Sequence, residues 1–388
     1  MNADRHTDIA IIGGGPVGAT LALALSGSGR RVTVLEARGS IEASPDPRAL
    51  ALSQASRIIL ERLGVWRKLP APTPISRIHI SQQGGFGRAL LNAEEENVEA
   101  LGYVVDYSAL DLALHATLIE HPEIELHMGI RVTDLASNQG FASLACASAD
   151  DSWHLTAAVA AVADGGKSIT QLPGIRRSSQ DYQQTAVLAH VKTELPQQGI
   201  AYERFTRNGP IALLPSGDGY ALVWTLPPAE AARVLALPET AFLRELHDAF
   251  GDRQGRFLAA SARNSFPLSL KTVDSVTSGR IVLLGNAAQT LHPAAGQGFN
   301  LGLRDAWALA QALGKDGRRD DTAALQRYRS ERRLDSFGGA HFTDGLVRLF
   351  SRPGRLLGHA RDLGLLAFEQ SPAAKHWITR KLSFGAQG

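Results

Sequence analysis

The chain contains one cysteine, Cys146, among 388 residues. An intramolecular disulfide is therefore excluded, and a thiolate-held metal cluster has no ligands to build it. No stretch of about 20 uninterrupted apolar residues is present to form a membrane-crossing helix. The N-terminal MNADRHTD is polar and lacks the apolar core of a secretory signal, so a cytoplasmic location is expected. Charge of either sign is scarce as an excess: 40 Lys/Arg against 38 Asp/Glu leave a formal +2. No basic run interleaved with aromatics marks a nucleic-acid surface, and nucleic acid is not an expected partner. Internal repeats and low-complexity tracts are missing. So are G-x-S-x-G, a Ser-His-Asp order and a metal-ligand set, which leaves nucleophilic and metal catalysis without carriers.

What is present is ordinary core-forming material, 44% apolar and 20% charged. At roughly 100–200 residues per domain, the length accommodates a large domain and a second one. Asp8-Ile-Ala-Ile-Ile12 reads as a buried parallel strand, Ala19 to Leu25 as a helix, and Arg31 to Leu35 as a second strand, completing a βαβ unit. From Pro70 to Gly102 the pattern loosens. Leu110–Glu120 is helical in period, Glu123–Met128 strand-like, and residues 141–163 resemble a β-meander. Strand-like pieces at Ala186–Val191 and Ala221–Leu226 accompany a helix near Glu239–Phe250. Arg280–Leu284 is another buried strand, followed by a loop, a helix from Leu301 to Leu313 and a helical remainder.

Three segments carry chemistry. Gly13, Gly15 and Gly18 form G-x-G-x-x-G directly after the first strand, with Pro16 between them. The first glycine permits the tight turn, the second lets the backbone approach a pyrophosphate, and the third lets helix and strand pack closely. Free N–H groups and the positive dipole end of the helix face the anion. Glu36, 18 residues past Gly18 at the tip of the second strand, is placed to accept hydrogen bonds from a ribose. The plainer alternative is a glycine turn in an unrelated α/β fold. The order strand, helix, strand, acid argues for a nucleotide, without separating FAD from NAD. The second segment, Gly285-Asn-Ala-Ala-Gln-Thr-Leu-His-Pro-Ala-Ala-Gly-Gln-Gly-Phe-Asn-Leu-Gly-Leu-Arg-Asp305, follows a buried strand and opens a helix. Gly296 and Gly298 allow close approach to a flat ligand, and the helix N-terminus favours negative charge there. The third is Asp164-Gly165, which an ordinary turn would also explain.

These segments, together with Pro47-Arg48-Ala-Leu-Ala-Leu-Ser53 and the stretch Tyr202 to Pro215, resemble the class A flavoprotein monooxygenases, whose fold is that of p-hydroxybenzoate hydroxylase. Within them the chain is similar to the ubiquinone-biosynthesis hydroxylases of the 2-polyprenyl-6-methoxyphenol type, over nearly its whole length. The resemblance implies an α/β fold: a Rossmann-like FAD-binding domain, an inserted β-sheet substrate domain, and C-terminal helices. The expected boundaries are 1–70, 103–175 and 276–335 for the FAD-binding domain, 71–102 and 176–275 for the substrate domain, and 336–388 for the helical region.

The resemblance also implies FAD as cofactor, NAD(P)H as reductant and O2 as co-substrate. One oxygen would pass through a flavin C4a-hydroperoxide to a polyprenyl phenol. Gly13, Gly15, Pro16 and Gly18 would meet the FAD pyrophosphate, and Glu36 its ribose. Arg48 would lie near the flavin, with Asp164 and Gly165 helping to hold FAD. Gly285 and Asn286 would face the ribityl chain, and Pro293, Gly296, Gln297, Gly298, Phe299 and Asn300 would wrap the isoalloxazine. Two departures stand out. Asn286 replaces the Asp usual in the superfamily, a feature shared by the resembled hydroxylases. The Asp-Gly motif leads to Gln171 rather than Arg. No catalytic residue is assigned, with His292 and Pro293 the candidates, and the base that would deprotonate the phenol is not named. A sister hydroxylase acting at another ring position and an FAD-dependent prenyl-lipid reductase are the alternatives. Leu346 to Phe368, interleaved with Arg348, Arg352, Arg355 and Arg361, and Trp377 to Phe384 could pack on the FAD domain or touch anionic lipid. Peripheral contact with the inner face of the membrane, a ubiquinone-biosynthesis complex and a homo-oligomer are further expectations.

Overall fold

Ile9-Ala-Ile-Ile12 is buried on both faces, the pattern of a central parallel strand. In the computed structural model, which describes residues 5–42, 46–166, 172, 174–292, 296–314, 320–332, 345 and 355–385, this run ends β1 (Arg5–Ile12). The chain continues through α1 (Pro16–Leu25), β2 (Val32–Glu36), β3 (Ala49–Ser53), α2 (Gln54–Arg62), β4 (Thr73–Ile75), β5 (Arg77–Gln82) and β6 (Arg88–Asn92). Next come β7 (Gly102–Asp106), α3 (Tyr107–Leu118), β8 (Ile124–Met128), β9 (Arg131–Ser137), β10 (Ala142–Ala147) and β11 (Ser152–Val162). The second half begins with β12 (Arg177–Thr193), β13 (Ile200–Phe205), β14 (Pro210–Ser216), β15 (Gly219–Leu226), α4 (Pro228–Leu235), α5 (Glu239–Phe250), β16 (Phe257–Ala260) and β17 (Asn264–Val273). It closes with β18 (Thr277–Ser278), β19 (Ile281–Leu283), β20 (Gln289–Thr290), α6 (Gln297–Gly314), α7 (321–332), α8 (Arg355–Glu369) and α9 (Pro372–Phe384).

The first sheet runs β18-β19-β11-β1-β2-β8, with β19, β11, β1, β2 and β8 mutually parallel. One face is covered by α1, α3, α6 and α7, which share a core with Ile9, Ile11 and Val34. The other face packs beneath the antiparallel β9–β10 extension, where Cys146, Leu144 and Trp153 are buried. The expected βαβ unit and the 141–163 meander are both present.

The second sheet runs β20-β17-β12-β15-β14-β13-β5-β6. β5 and β6, far earlier in the chain, enter through the parallel pair β13–β5. Residues 70–102 are therefore more regular than their composition suggests, because short strands between turn residues leave little periodicity to read. Side chains alternate along this sheet. Val187, Tyr202, Tyr220 and Trp224 face α4 and α5, while Ala201, Phe205 and Leu91 face the opposite way. That second face meets Leu365 and Phe368 of α8 and Ile378 and Leu382 of α9. A third, small sheet, β3-β7-β4, stands beside it. β20 pairs with β17, so the chain leaving the first sheet at β19 crosses at once to the second.

Candidate active site

After β1 the chain turns through Gly13 (φ +99°) into α1. A Cβ on Gly13 would lie 2.8 Å from the Ala163 carbonyl oxygen and from the Asp164 Cα, where β11 ends. A Cβ on Gly18 would lie 1.9 Å from the Gly13 carbonyl oxygen. Both positions are closed to any side chain by protein backbone. Gly15, the N-cap of α1, differs: no protein atom lies within 4 Å of a Cβ built there, and no side chain caps the helix. The N-terminal N–H groups of α1 thus open onto free space, and that cradle fits a pyrophosphate.

Glu36, at the end of β2, is buried and accepts hydrogen bonds from Gly14 N (2.7 Å) and Arg38 N (2.8 Å). Arg38 sits 3.2 Å from Glu36 Oε1 and 2.6 Å from Asp111 Oδ2, the latter fully buried on α3. Burial alone would lower the Arg38 pKa; the carboxylates of Asp111 and Glu36 more than reverse this and hold it above its ordinary value. Neither Arg38 nor Asp111 is visible as a site residue in the sequence, since their pairing joins β2 to a helix some 70 residues on. Asp164 Oδ1 accepts from Gly166 N (2.7 Å), which fixes a turn through Gly165 and Gly166, both at positive φ.

The Gly285 segment arrives at the same place. Gly285 (φ +53°) would set a Cβ 3.1 Å from Val17 Cγ2, and Gly302 would set one 2.9 Å from the same atom. Val17 of α1 is therefore wedged between the 285 turn and α6. A Cβ on Gly166 would lie 3.3 Å from the Asn286 carbonyl oxygen, and Asn286 itself is exposed. Gly13, Gly15, Pro16, Gly18, Glu36, Asp164, Gly165, Gly285 and Asn286 are thus brought together, although they are up to 273 positions apart in the chain.

A second group gathers at the start of α6. Gly296 (φ +59°) would place a Cβ 3.3 Å from Ala51 Cβ of β3. The Asn300 amide donates to the Ala51 and Gly296 carbonyls (both 2.8 Å) and accepts from Ser53 N (2.8 Å) and Ser56 Oγ (2.7 Å). All four hydrogen-bonding places on this side chain are filled by protein. Asn300 holds α6 against β3 and α2, and direct side-chain contact with a ligand falls to others. Gln297 is buried with its Nε2 3.5 Å from the Leu382 carbonyl, Phe299 packs into the first core, and a Cβ on Gly298 would meet only Leu291 Cβ at 3.8 Å. Gly298, like Gly15, faces room rather than backbone.

Arg48 precedes β3. Its guanidinium is held by Asp46 (Nε to Oδ1 2.8 Å and to Oδ2 2.9 Å) and lies over the rings of Tyr107 (5.0 Å) and Phe266 (5.7 Å). Tyr107 opens α3 and Phe266 belongs to β17, so Arg48 spans the first domain's edge and the second sheet. Burial, then the charge of Asp111, raises the Tyr107 phenol. Asp46 escapes sequence reading because an Asp-Pro turn has an ordinary structural use, and the sequence places Tyr107 at the start of a helix facing the flavin without assigning it a role. His292 is buried, 3.3 Å from Gln184 Oε1 and edge-on to Tyr182 at 5.2 Å. Its neighbours come from the irregular stretch of β12 between Asp181 and Gln184. Pro293 and Gln171 lie outside the described residues.

The FAD binding domain family matches residues 6–336, and the chain belongs to that family. Over 98% of its length it is 34% identical to Ubiquinone hydroxylase UbiL of Rhodospirillum rubrum, covering 90% of that protein. It is 32% identical to the 3-demethoxyubiquinol 3-hydroxylase of Escherichia coli, over 96% of this chain and 97% of that one. In fold it is similar to p-nitrophenol 4-monooxygenase PnpA from Pseudomonas putida, with a TM-score of 0.80, 20% identity, and coverage of 99% of this chain and 100% of the other. It is a class A FAD-dependent monooxygenase of the ubiquinone-biosynthesis hydroxylases. The α/β architecture is the Rossmann-like FAD-binding domain with a substrate sheet expected for that class.

Proposed function

We propose that the chain hydroxylates the ring of a 2-polyprenyl-6-methoxyphenol. The observation that carries this reading is the convergence of the three glycine segments at the α1 N-terminus, linked through α3, which pairs Asp111 with Arg38 beside Glu36 and opens with Tyr107, to the Arg48–Tyr107–Phe266 group at the edge of the second sheet. FAD, reduced by NAD(P)H and reacting with O2, supplies the redox chemistry of this class.

The chain's own residues bind, orient and exclude water. In this proposal the α1 N-terminus and Gly15 take the pyrophosphate, and the Glu36 carboxylate, already oriented by Gly14 and Arg38, takes the adenosine ribose. Asp164–Gly166 and Asn286 line the middle of the cofactor. The Gly296–Phe299 turn, anchored from behind by Asn300, seats the ring system. Arg48 keeps a positive charge beside it, and the second sheet's face opposite α5 closes off solvent from the phenol.

The reading is tested by mass spectrometry of quinone intermediates in cells lacking the protein. Accumulation of 2-polyprenyl-6-methoxyphenol is expected, and oxygen-18 from O2 should enter the product of the purified enzyme. A sister hydroxylase acting at another ring position is the second reading, favoured by the similarity to the 3-demethoxyubiquinol 3-hydroxylase. Build-up of a demethoxyubiquinol would select it. Turnover without labelled oxygen would instead indicate a prenyl-lipid reductase.

Peripheral membrane contact belongs to the same proposal, because the substrate's prenyl tail partitions into lipid. Among the described residues no helix is long and apolar enough to cross a membrane. Leu363, Trp377 and Phe384 of α8 and α9 are 60%, 58% and 37% exposed beside exposed Arg380, and would lie on the bilayer surface.

A further inference from the structure

The outward face of the second sheet, away from the flavin site, holds a cluster of cations that the hydroxylase reaction does not use. The strand registers set Arg204 of β13 beside Ser81 of β5, and Ser81 beside Arg88 of β6, one row across three strands. Arg204 Nη1 donates to Ser81 Oγ at 3.3 Å. Two residues back on β5, His79 lies against Tyr202, with ring centroids 5.7 Å apart. The loop after α5 covers this row: Gly251 approaches Arg204, Gln254 Nε2 donates to the Tyr202 hydroxyl, and Arg253 between them is exposed.

Two features of the cluster require explanation. His79 is only 7% exposed, yet neither ring nitrogen has a hydrogen-bond partner, and Arg204 Nε is likewise buried and unpartnered. Among the described residues, Arg88, Arg204 and Arg253 form no ion pair with a carboxylate. Burial first, and then the charges of Arg253, Arg88 and Arg204, push the His79 imidazole down to about 4. Burial and Arg253 also lower the Arg204 guanidinium. Like charges held together around unmet donors cost stability unless an anion joins them.

We propose that His79, Ser81, Arg88, Arg204 and Arg253 form a binding site for a phosphate group. Planar guanidinium forks match phosphate oxygens, a serine hydroxyl and an imidazole N–H supply the remaining donors, and the exposed Arg88 and Arg253 leave the site open to solvent. A phosphate dianion there would satisfy the buried donors and raise His79 towards its ordinary range. The phosphate could be inorganic, the 2′-phosphate of a nucleotide, or a lipid headgroup; the chemistry recognised is the same. This site is independent of the proposed substrate.

The test uses the full-length, FAD-loaded protein, so that the pyrophosphate cradle is already filled. Inorganic phosphate is titrated at constant ionic strength while the His79 ring resonances, assigned with His79→Gln, are followed by NMR. The expected result is a saturable shift with a raised His79 pKa. Arg253→Gln, on an exposed loop residue, should weaken binding at least about tenfold, the order expected for one lost charged hydrogen bond. Arg233→Gln, whose guanidinium is paired with Glu230 and Glu245, should leave it unchanged. Absence of a His79 response, or an equal response in Arg253→Gln, overturns the proposal. Competition by adenosine 2′-phosphate identifies a nucleotide as the source, and competition by phosphatidic acid vesicles identifies a lipid. Competition by neither leaves inorganic phosphate as the ligand.

Discussion

At the scale of single residues, glycines of one motif do different work. Gly18 is required by the fold, because its Cβ would overlap the Gly13 carbonyl; Gly15 is required only by what enters the space in front of it. Gly18→Val should therefore destabilise the apoprotein by about 3 kcal/mol, the upper range for overpacking. Gly15→Val should change apoprotein stability by no more than about 0.5 kcal/mol, yet weaken FAD binding by roughly a hundredfold, about 2.8 kcal/mol. Urea unfolding of the apo forms and flavin fluorescence titration separate the two effects. Equal flavin affinity in Gly15→Val and wild type would show that the pyrophosphate does not occupy the space in front of Gly15. The sequence spacing alone treats the two glycines alike; only the surrounding atoms tell a backbone clash from a ligand clearance. Glu203 of β13 gives a second case at this scale. Its Oε1 is buried without a partner, and desolvation pushes the carboxyl from 4.5 up to about 8. The folded chain thus holds this proton more tightly than the unfolded chain. The resulting stability is complete below about pH 4.5, declines as pH rises, and is gone once pH passes about 8. Glu203→Gln should accordingly gain little over wild type at pH 4.5 and most at pH 8.5, measured as urea midpoints at both. A gain independent of pH would show that the carboxyl is solvated in the native state.

At the scale of elements, the first crossover was fully legible: an apolar run, three glycines, a small-residue helix and an acid at the next strand tip can be arranged in few other ways. β3 and α2 were not, although they support half of the site. Ala49-Leu-Ala-Leu-Ser53 is a short apolar run that fits strand or helix, its partner β7 lies about 50 residues on, and no local signal links it to α6. That link is Asn300, which ties Ala51, Ser53 and Ser56 to the first turn of α6. The sequence marks Asn300 as part of the flavin turn; its geometry makes it the turn's anchor. Asn300→Ala should leave the Ser53 amide and the Ala51 carbonyl unsatisfied in a buried place, at a cost of about 3 kcal/mol. It should also speed flavin release, because Gly296–Phe299 lose their backing. Stopped-flow transfer of FAD to an apoflavoprotein trap gives the release rate. A stability change without faster release would confine Asn300 to the fold.

At the scale of the whole molecule, two sheets are joined by the segment that leaves β19, pairs as β20 with β17, and returns to begin α6. The flavin turn is therefore held between the cofactor domain and the substrate sheet, and α8 and α9 cover the face of that sheet opposite α4 and α5, with Leu382 of α9 reaching Gln297 of the turn. Their packing is extensive: Asp362 Oδ1 accepts from Gly87 N at 3.1 Å, Glu369 Oε2 from Leu90 N at 2.7 Å, and Lys375 pairs with Glu95 at 3.0 Å. Leu346 to Phe350 and their intervening Arg348, with Arg352, lie outside the described residues; the described part of the apolar stripe divides into an inner face, with Leu365, Phe368, Ile378 and Leu382, and an outer one, with Leu363, Trp377 and Phe384. Periodicity announces such helices but cannot divide their residues between sheet and solvent, because both faces are apolar. Deleting the C-terminal helices would expose the sheet and test nothing about lipid. The informative change is Trp377→Ser with Leu363→Ser, both on the outer face, which should alter stability by less than about 0.5 kcal/mol. If that face rests on the bilayer, flotation with anionic liposomes should fall severalfold for the double variant, since each aromatic or aliphatic side chain buried in the interface contributes roughly 1.5–3 kcal/mol. Arg380→Glu should reduce flotation on anionic vesicles and leave it unchanged on neutral ones. Flotation equal to wild type in both variants would assign these side chains to a protein partner or to solvent, and the prenyl tail would then have to reach the site by another route.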